Sequence, residues 1–210
     1  MNKLKTIMLM ACLVFTSSLF AETDDEVFQK EYDATALKAK KMTNSEIMKE
    51  VGFIYDMNKS KSPIETSLKL APYVTELGKR DEAGDLEAKF ISTSLWQRTA
   101  CEMMVEQKMY STGDTCTGVI KNLKIIANSK SDKPYIANSM VLLGDLYKEG
   151  KVTSQSSLLS AEWYYKGAKK YKEIGNRDEA IKSIEKSLQA NPNYGPARNY
   201  LKVLTVEKSP

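Results

Sequence analysis

The chain contains no histidine in its 210 residues. That absence removes the commonest general base at neutral pH and the commonest metal ligand. It also rules out Ser-His-Asp and Cys-His nucleophile arrangements. Neither a Walker A loop nor a Gly-x-Gly-x-x-Gly run occurs, so the usual phosphate cradles are missing too. Strand signals are equally scarce: there is no sustained period-two run and no Asn-Gly or Asp-Gly hairpin dipeptide. Only 10 glycines and 6 prolines are present, and most stand where a helix would stop or start. One run, Ser183-Ile184-Glu185-Lys186, has the Ser-x-x-Lys form of penicillin-recognising enzymes, but its Lys-Thr-Gly companion is absent and it lies in a helix-periodic stretch. Acidic pairs such as Asp24-Asp25 and Asp178-Glu179 sit at expected helix starts, where the helix dipole accounts for them. No metal site, cofactor or catalytic residue is implied, and the chain reads as a non-enzyme.

Long apolar runs are also lacking, with one short exception at the N-terminus. Lys3 and Lys5 precede an apolar core from 7 to 15, and Ser17, Ser18 and Ala21 follow before the acidic Glu22, Asp24 and Asp25. This order reads as a secretory signal over residues 1–21, cleaved after about Ala21. The core is too short for a stable transmembrane anchor. A lipoprotein reading at Leu9-Met10-Ala11-Cys12 is the rival, but the residues after Cys12 are apolar, which suits a lipidated terminus poorly. The mature chain is therefore expected to be soluble and periplasmic or secreted.

Strong charge of one sign is missing. The net charge is +4, and loss of Lys3 and Lys5 with the signal leaves +2. Nothing here favours nucleic acid, which asks for a basic patch. The distribution is uneven: residues 22–60 carry −3 and residues 161–210 carry +4. A basic C-terminal surface for an acidic partner is one reading; solvated lysines on amphipathic helices is the plainer one.

Of three cysteines, Cys12 leaves with the signal, and Cys101 and Cys116 remain in an oxidising compartment where a pair tends to bridge. Such a bridge closes a loop of about 15 residues, worth roughly 3 kcal/mol. It needs Cα atoms within about 7 Å. A helix running to Met109 would leave Cys101 about 12 Å below its end, so the bridge predicts that this helix stops near Glu106. A redox role would be expected to use Cys-x-x-Cys spacing, which is absent.

What remains is helical periodicity. Residues 24–41 are acidic at the start and thinly apolar, with Val27, Phe28 and Leu37. A helix from Thr43 to Met57 places Ile47, Val51 and Ile54 on one face. Ser62-Pro63-Ile64-Glu65 is a helix start with a capping box; Ile64, Leu68, Ala71 and Leu77 then line a core face, and Pro72 is expected to kink the helix. A long helix is expected from about Glu82, carrying Leu86, Phe90, Leu95 and Trp96. Val119, Leu123 and Ile126 mark the next, and Pro134 opens one that ends near Gly150. Leu77-Gly78-Lys79-Arg80-Asp81-Glu82-Ala83 echoes Ile174-Gly175-Asn176-Arg177-Asp178-Glu179-Ala180. In both, a glycine after an apolar helix end predicts a left-handed cap before a new helix.

Residues 161–194 resemble a tetratricopeptide repeat through Ala168, Tyr171, Ala180, Ile184, Ser187 and Pro192, with the run 175–181 closing in Asn191-Pro192-Asn193-Tyr194. Tyr164 and Gly167 stand where that family prefers Trp and Leu. Residues 136–172 look like a Sel1-like repeat through Leu143-Gly144, Tyr147, Gly150, Trp163-Tyr164, Lys166 and Ala168. The two frames share the helix near 158–174 and disagree on whether it is the first or second of its unit. Both imply an all-α stack of antiparallel helical hairpins, an α-solenoid, with a capping helix from about Gly195 to Glu207. The organisation expected is a signal at 1–21, an unassigned helical segment at 22–61, hairpins of weak repeat character at 62–132, and repeats plus cap at 133–210.

The resemblance implies a binding function. First helices of tetratricopeptide units line a concave groove, which would bring Tyr165, Lys169 and Lys172 to a protein or peptide partner. Trp163 and Tyr164 are repeat-packing positions, whereas Tyr165 is not. A carboxylate clamp is unsupported, since Tyr165 and Lys169 replace that clamp's Lys and Asn. The expected role is an adaptor or envelope assembly factor. Two alternatives stay open: a cell-wall hydrolase with an inconspicuous carboxylate pair, and a structural subunit whose repeats serve homo-oligomerisation.

Overall fold

The computed structural model describes residues 22–57, 63–97, 101 and 113–206. Among them there is no strand: nine α-helices and one π-helical segment account for the regular structure. The chain divides into two compact units, residues 1–80 and 81–210. The expected signal segment, the Ser62 cap and the expected helix end near Glu106 all lie outside the described residues.

In the first unit, α1 (Glu22–Lys41), α2 (Asn44–Met57) and α3 (Pro63–Glu82) follow one another. The α1–α2 turn is set by Thr43 and Glu46. The Thr43 hydroxyl accepts from the Glu46 N–H, while the Glu46 carboxylate accepts from the Thr43 N–H at 2.7 Å, a reciprocal cap that satisfies two otherwise orphaned donors. Those bonds to Thr43 hold the Glu46 carboxyl below its ordinary value. Arg80 of α3 ties the unit together. Its guanidinium donates to Glu76, to Asn44 Oδ1 at 2.8 Å, and to the Ala39 and Met42 carbonyls at 3.1 and 2.7 Å. Those two carbonyls belong to the last turn of α1 and its exit, so one side chain binds the C-terminal end of one helix from the flank of another, beside the Met42 N–H that also donates to the Ala39 carbonyl.

Ile47 on α2 and Leu77 on α3 are buried as expected, and other core positions differ. On α1, Val27 and Leu37 are exposed and Ala39 is fully buried. On α3, the core residues are Leu70, Tyr73 and Leu77, a strict helical stripe, while Leu68 and Ala71 are only half covered. Pro72 is accommodated inside α3, which continues to Glu82 on its far side. Gly78 is not a cap. It lies within α3, and the left-handed glycine is Gly84, with φ 93°. The long helix expected from Glu82 is likewise replaced: Glu82 ends α3, and a short α4 begins at Leu86, capped by Asp85 accepting from the Glu87 and Ala88 N–H groups. After Ile91 the chain widens into a π-helical turn, Ser92–Gln97, with Thr93 fully buried.

The second unit continues with α5 (Gly113–Ala127), α6 (Pro134–Glu149), α7 (Ser157–Glu173), α8 (Arg177–Ala190) and α9 (Gly195–Val206). Each helix packs on its predecessor, and α4, α6 and α8 also touch in turn, as do α7 and α9. Punctuation is visible at each turn. Pro134 occupies the first turn of α6, and Gly150 ends it at φ 71°. Ser156 caps α7 by accepting from the Leu159 N–H, and Gly175 (φ 80°) followed by the Asn176 cap opens α8. Small buried serines let the helices approach: Ser160 donates to the Gly144 carbonyl at 2.9 Å and Ser187 to the Ala161 carbonyl at 2.7 Å. Two apolar clusters result. One gathers Val119, Leu123, Leu143, Leu146 and Trp163 around the Cys101–Cys116 disulfide. The other gathers Ala137, Ala168, Tyr171, Ala180, Ile184 and Leu204.

Candidate binding surfaces

The positions expected to pack helical repeats fall mainly on three consecutive helices. Leu143, Gly144 and Tyr147 on α6, Trp163, Tyr164, Gly167, Ala168 and Tyr171 on α7, and Ala180 and Ile184 on α8 are all buried, while Pro192 in the α8–α9 turn is exposed. Tyr164 shows why the spacing is what it is. Its ring lies against Gly144, where an added Cβ would come within 2.6 Å of Tyr164 Cδ1. Its hydroxyl donates to Asp145 at 2.6 Å, and Lys186 of α8 reaches the same carboxylate at 3.2 Å. Burial, and then the bond to Asp145, holds the Tyr164 hydroxyl well above its ordinary range. Tyr171 donates to Asn138 across the α6–α7 interface, and its pKa is pushed up to about 12 by burial and then by the Glu179 charge. Ser183 and Lys186, the Ser-x-x-Lys pair, are separated in role: Ser183 is buried and Lys186 engages Asp145 and lies 5.4 Å over the Tyr164 ring.

Tyr165, one residue on, points to a different side of α7. Its ring meets Tyr194 edge-on at 5.8 Å and Tyr200 edge-on at 5.7 Å. Tyr194 lies just before α9 and Tyr200 lies on it, so three tyrosines join α7 to α9. Lys169 is exposed, with its ammonium 5.8 Å over the Tyr165 ring. Burial, then the Glu162 charge, raises the Tyr194 pKa. Lys172, the third expected contact, is half-buried one turn on. Sequence spacing alone brought Tyr165 and Lys169 together. It did not find Tyr194 and Tyr200, about 30 residues downstream; the signal was the tyrosine closing the Asn-Pro-Asn-Tyr turn and another six residues later.

A second surface lies beside the disulfide. Cys101 and Cys116 have Cα atoms 5.1 Å apart, and Cys116 borders an open depression of about 730 Å³. Its floor is one flank of α5, with Ile120 and Ile125, and its wall is the bend after α6 at Val152 and Thr153. Among the described residues, Lys121 and Lys124 also line it and no carboxylate does. No spacing signal marked it, because the bend meets α5 only through the tertiary fold.

Among the described residues, no three His, Cys, Asp or Glu side chains gather to hold a metal, and no helix is long and apolar enough to cross a membrane. Comparison with known proteins finds no similar one: no family model, no curated protein and no solved structure matches this chain.

Proposed function

We propose that the chain is an exported, non-catalytic interaction protein that holds a protein or peptide partner on the α7–α9 face. The observation carrying this reading is the tyrosine cluster Tyr165–Tyr194–Tyr200 with Lys169 above it. Aromatic side chains that are fixed edge-to-face yet half exposed offer large contact area at little entropic cost, and such residues dominate binding hot spots. The pattern of successive helix contacts, with alternate helices also touching, agrees with a repeat stack of the tetratricopeptide or Sel1-like kind. In such a stack α7 and α9 share one face. The N-terminal signal pattern and the disulfide support an oxidising, exported setting. An adaptor or assembly role in the cell envelope follows as the working assignment.

The test is photo-crosslinking in cells from position 169, with mass spectrometry of what is captured. Lys169 is the position of choice because it is exposed, whereas Tyr165 also packs on α9. In co-purification of the partner so identified with the chain lacking the crosslinker, Lys169→Glu should reduce recovery severalfold without changing the fold. Recovery that is indifferent to Lys169→Glu and to Tyr165→Ala removes this face from the partner interface.

A further inference from the structure

We propose that the depression beside the disulfide is a second peptide site, one that takes a segment in which a carboxylate stands next to apolar side chains. It lies apart from the α7–α9 face, on α5 and the bend after α6. Three observations carry it. The depression is about 730 Å³ and open, large enough for a few side chains of an extended segment. The floor is apolar: Ile120 is half-buried, and Ile125 in the last turn of α5 is left 45% exposed although Leu123 and Ile126 beside it are fully buried. Among the described residues the charge has no counter-ion: Lys121 makes no ion pair, Lys124 has only the Tyr147 ring at 5.9 Å, and no acidic side chain lines the depression.

Charge complementarity and shape together choose the occupant. Two ammonium groups three residues apart on one helix face suit one or two carboxylates close in sequence. Lysines rather than arginines line it, so the recognition is of charge and not of a bidentate fork. The depression is open along one side, so it covers one flank of its ligand. A peptide anchored at several points fits that shape. A lone acyl chain does not, since it must be wrapped on all sides to leave water.

The experiment uses the purified, oxidised protein and two fluorescein-labelled decapeptides, one carrying a Glu-Glu pair between two Leu-Leu pairs and the other with Gln-Gln in place of Glu-Glu. Fluorescence anisotropy is expected to show the glutamate peptide binding at least tenfold tighter, with affinity falling as salt is raised. Lys121→Gln with Lys124→Gln should erase that preference. Ile125→Ser should weaken both peptides, and Tyr165→Ala should weaken neither. On α5, Lys121 and Ile125 are exposed and Lys124 is half-buried, and circular dichroism checks each variant's helix content. The proposal is overturned if the two peptides bind alike, if the double glutamine variant binds as the parent does, or if Tyr165→Ala abolishes binding. It is also overturned if a photo-crosslinker at position 121 reacts only with the chain's own residues 102–112, which would mean that the site is already filled from within.

Discussion

Gly78 and Gly144 separate two uses of glycine that look alike in the sequence. Gly78 sits in the interior of α3 with open space around the missing Cβ. Nothing in its surroundings needs a glycine, and alanine there gains helix propensity of about 0.5–1 kcal/mol. Gly144 sits in the interior of α6, but its missing Cβ is replaced by the ring of Tyr164, with Cδ1, Cε1 and Cγ all within 3 Å. That ring is fully buried and pinned through its hydroxyl to Asp145, so it has nowhere to move. Overpacking of this kind costs about 1–3 kcal/mol, which exceeds the propensity gain. Gly78→Ala should therefore raise the urea midpoint and Gly144→Ala should lower it, as read by circular dichroism. A fall with Gly78→Ala would restore a capping role to that glycine. Gly167→Ala should lie between the two, because its closest obstacle is the end of the Val141 side chain at 2.9 Å, which can rotate.

At the scale of elements, the α1–α2–α3 arrangement depends on Arg80 more than on apolar burial, since α1 leaves Val27, Phe28 and Leu37 exposed. The guanidinium makes four directed bonds in different directions, to Glu76, Asn44, Ala39 and Met42. A lysine carries the same charge but has neither the span nor the fork to reach both carbonyls and Asn44 together. Arg80→Lys should cost about 2–3 kcal/mol, seen as roughly hundredfold faster hydrogen exchange of the α1 and α2 amides. Exchange at the parent rate would show that charge pairing with Glu76 is sufficient. The same region shows where sequence reading stopped. From α5 onward each boundary is marked by chemistry that acts locally: Pro134, Gly150, Ser156, Gly175 and Asn176. Near α3 and α4, likeness of the strings 77–83 and 174–180 pointed to Gly78 and left Gly84 unmarked. The deciding residue was Asp85, whose side chain caps α4 just after the left-handed Gly84; Asn176 follows Gly175 in the same way. The π-helical turn at Ser92–Gln97 had no sequence signal, because its register is set by what α4 and α5 pack against. The candidate surfaces divide on the same line. Tyr165 and Lys169 were within one helical turn of each other and could be paired by spacing. Tyr194, Tyr200 and the α5 depression depend on helices meeting across the fold.

For the whole molecule, the absence of histidine and the burial of tyrosine hydroxyls set where pH acts. No side chain has an ordinary pKa between about 5 and 8, so stability should be flat there. Tyrosine gives the alkaline limit. Unfolded Tyr171 ionises near 10.0, and in the folded chain it keeps its proton up to about 12. Between those values the unfolded state has released a proton that the native state still holds, so native stability falls as pH rises through that window. The Tyr171 side chain is only 7% exposed, and holding its proton across that window corresponds to ~2–3 kcal/mol of stability lost at the alkaline end. Tyr164 acts in the same direction, because burial and Asp145 raise it further. Lys38 and Lys170, raised by hydrogen bonds to Glu50 and to Glu173, also contribute stability that disappears as pH rises. Urea denaturation from about pH 6 to 12 should therefore give a constant free energy to about pH 9 and then a steep decline. Tyr171→Phe should make the decline between about pH 10 and 12 shallower by about one proton, although it is less stable at neutral pH for want of the bond to Asn138. An unchanged alkaline slope in that variant would mean that Tyr171 is solvated enough to ionise at its ordinary value, and that the α6–α7 interface opens before the rest of the second unit.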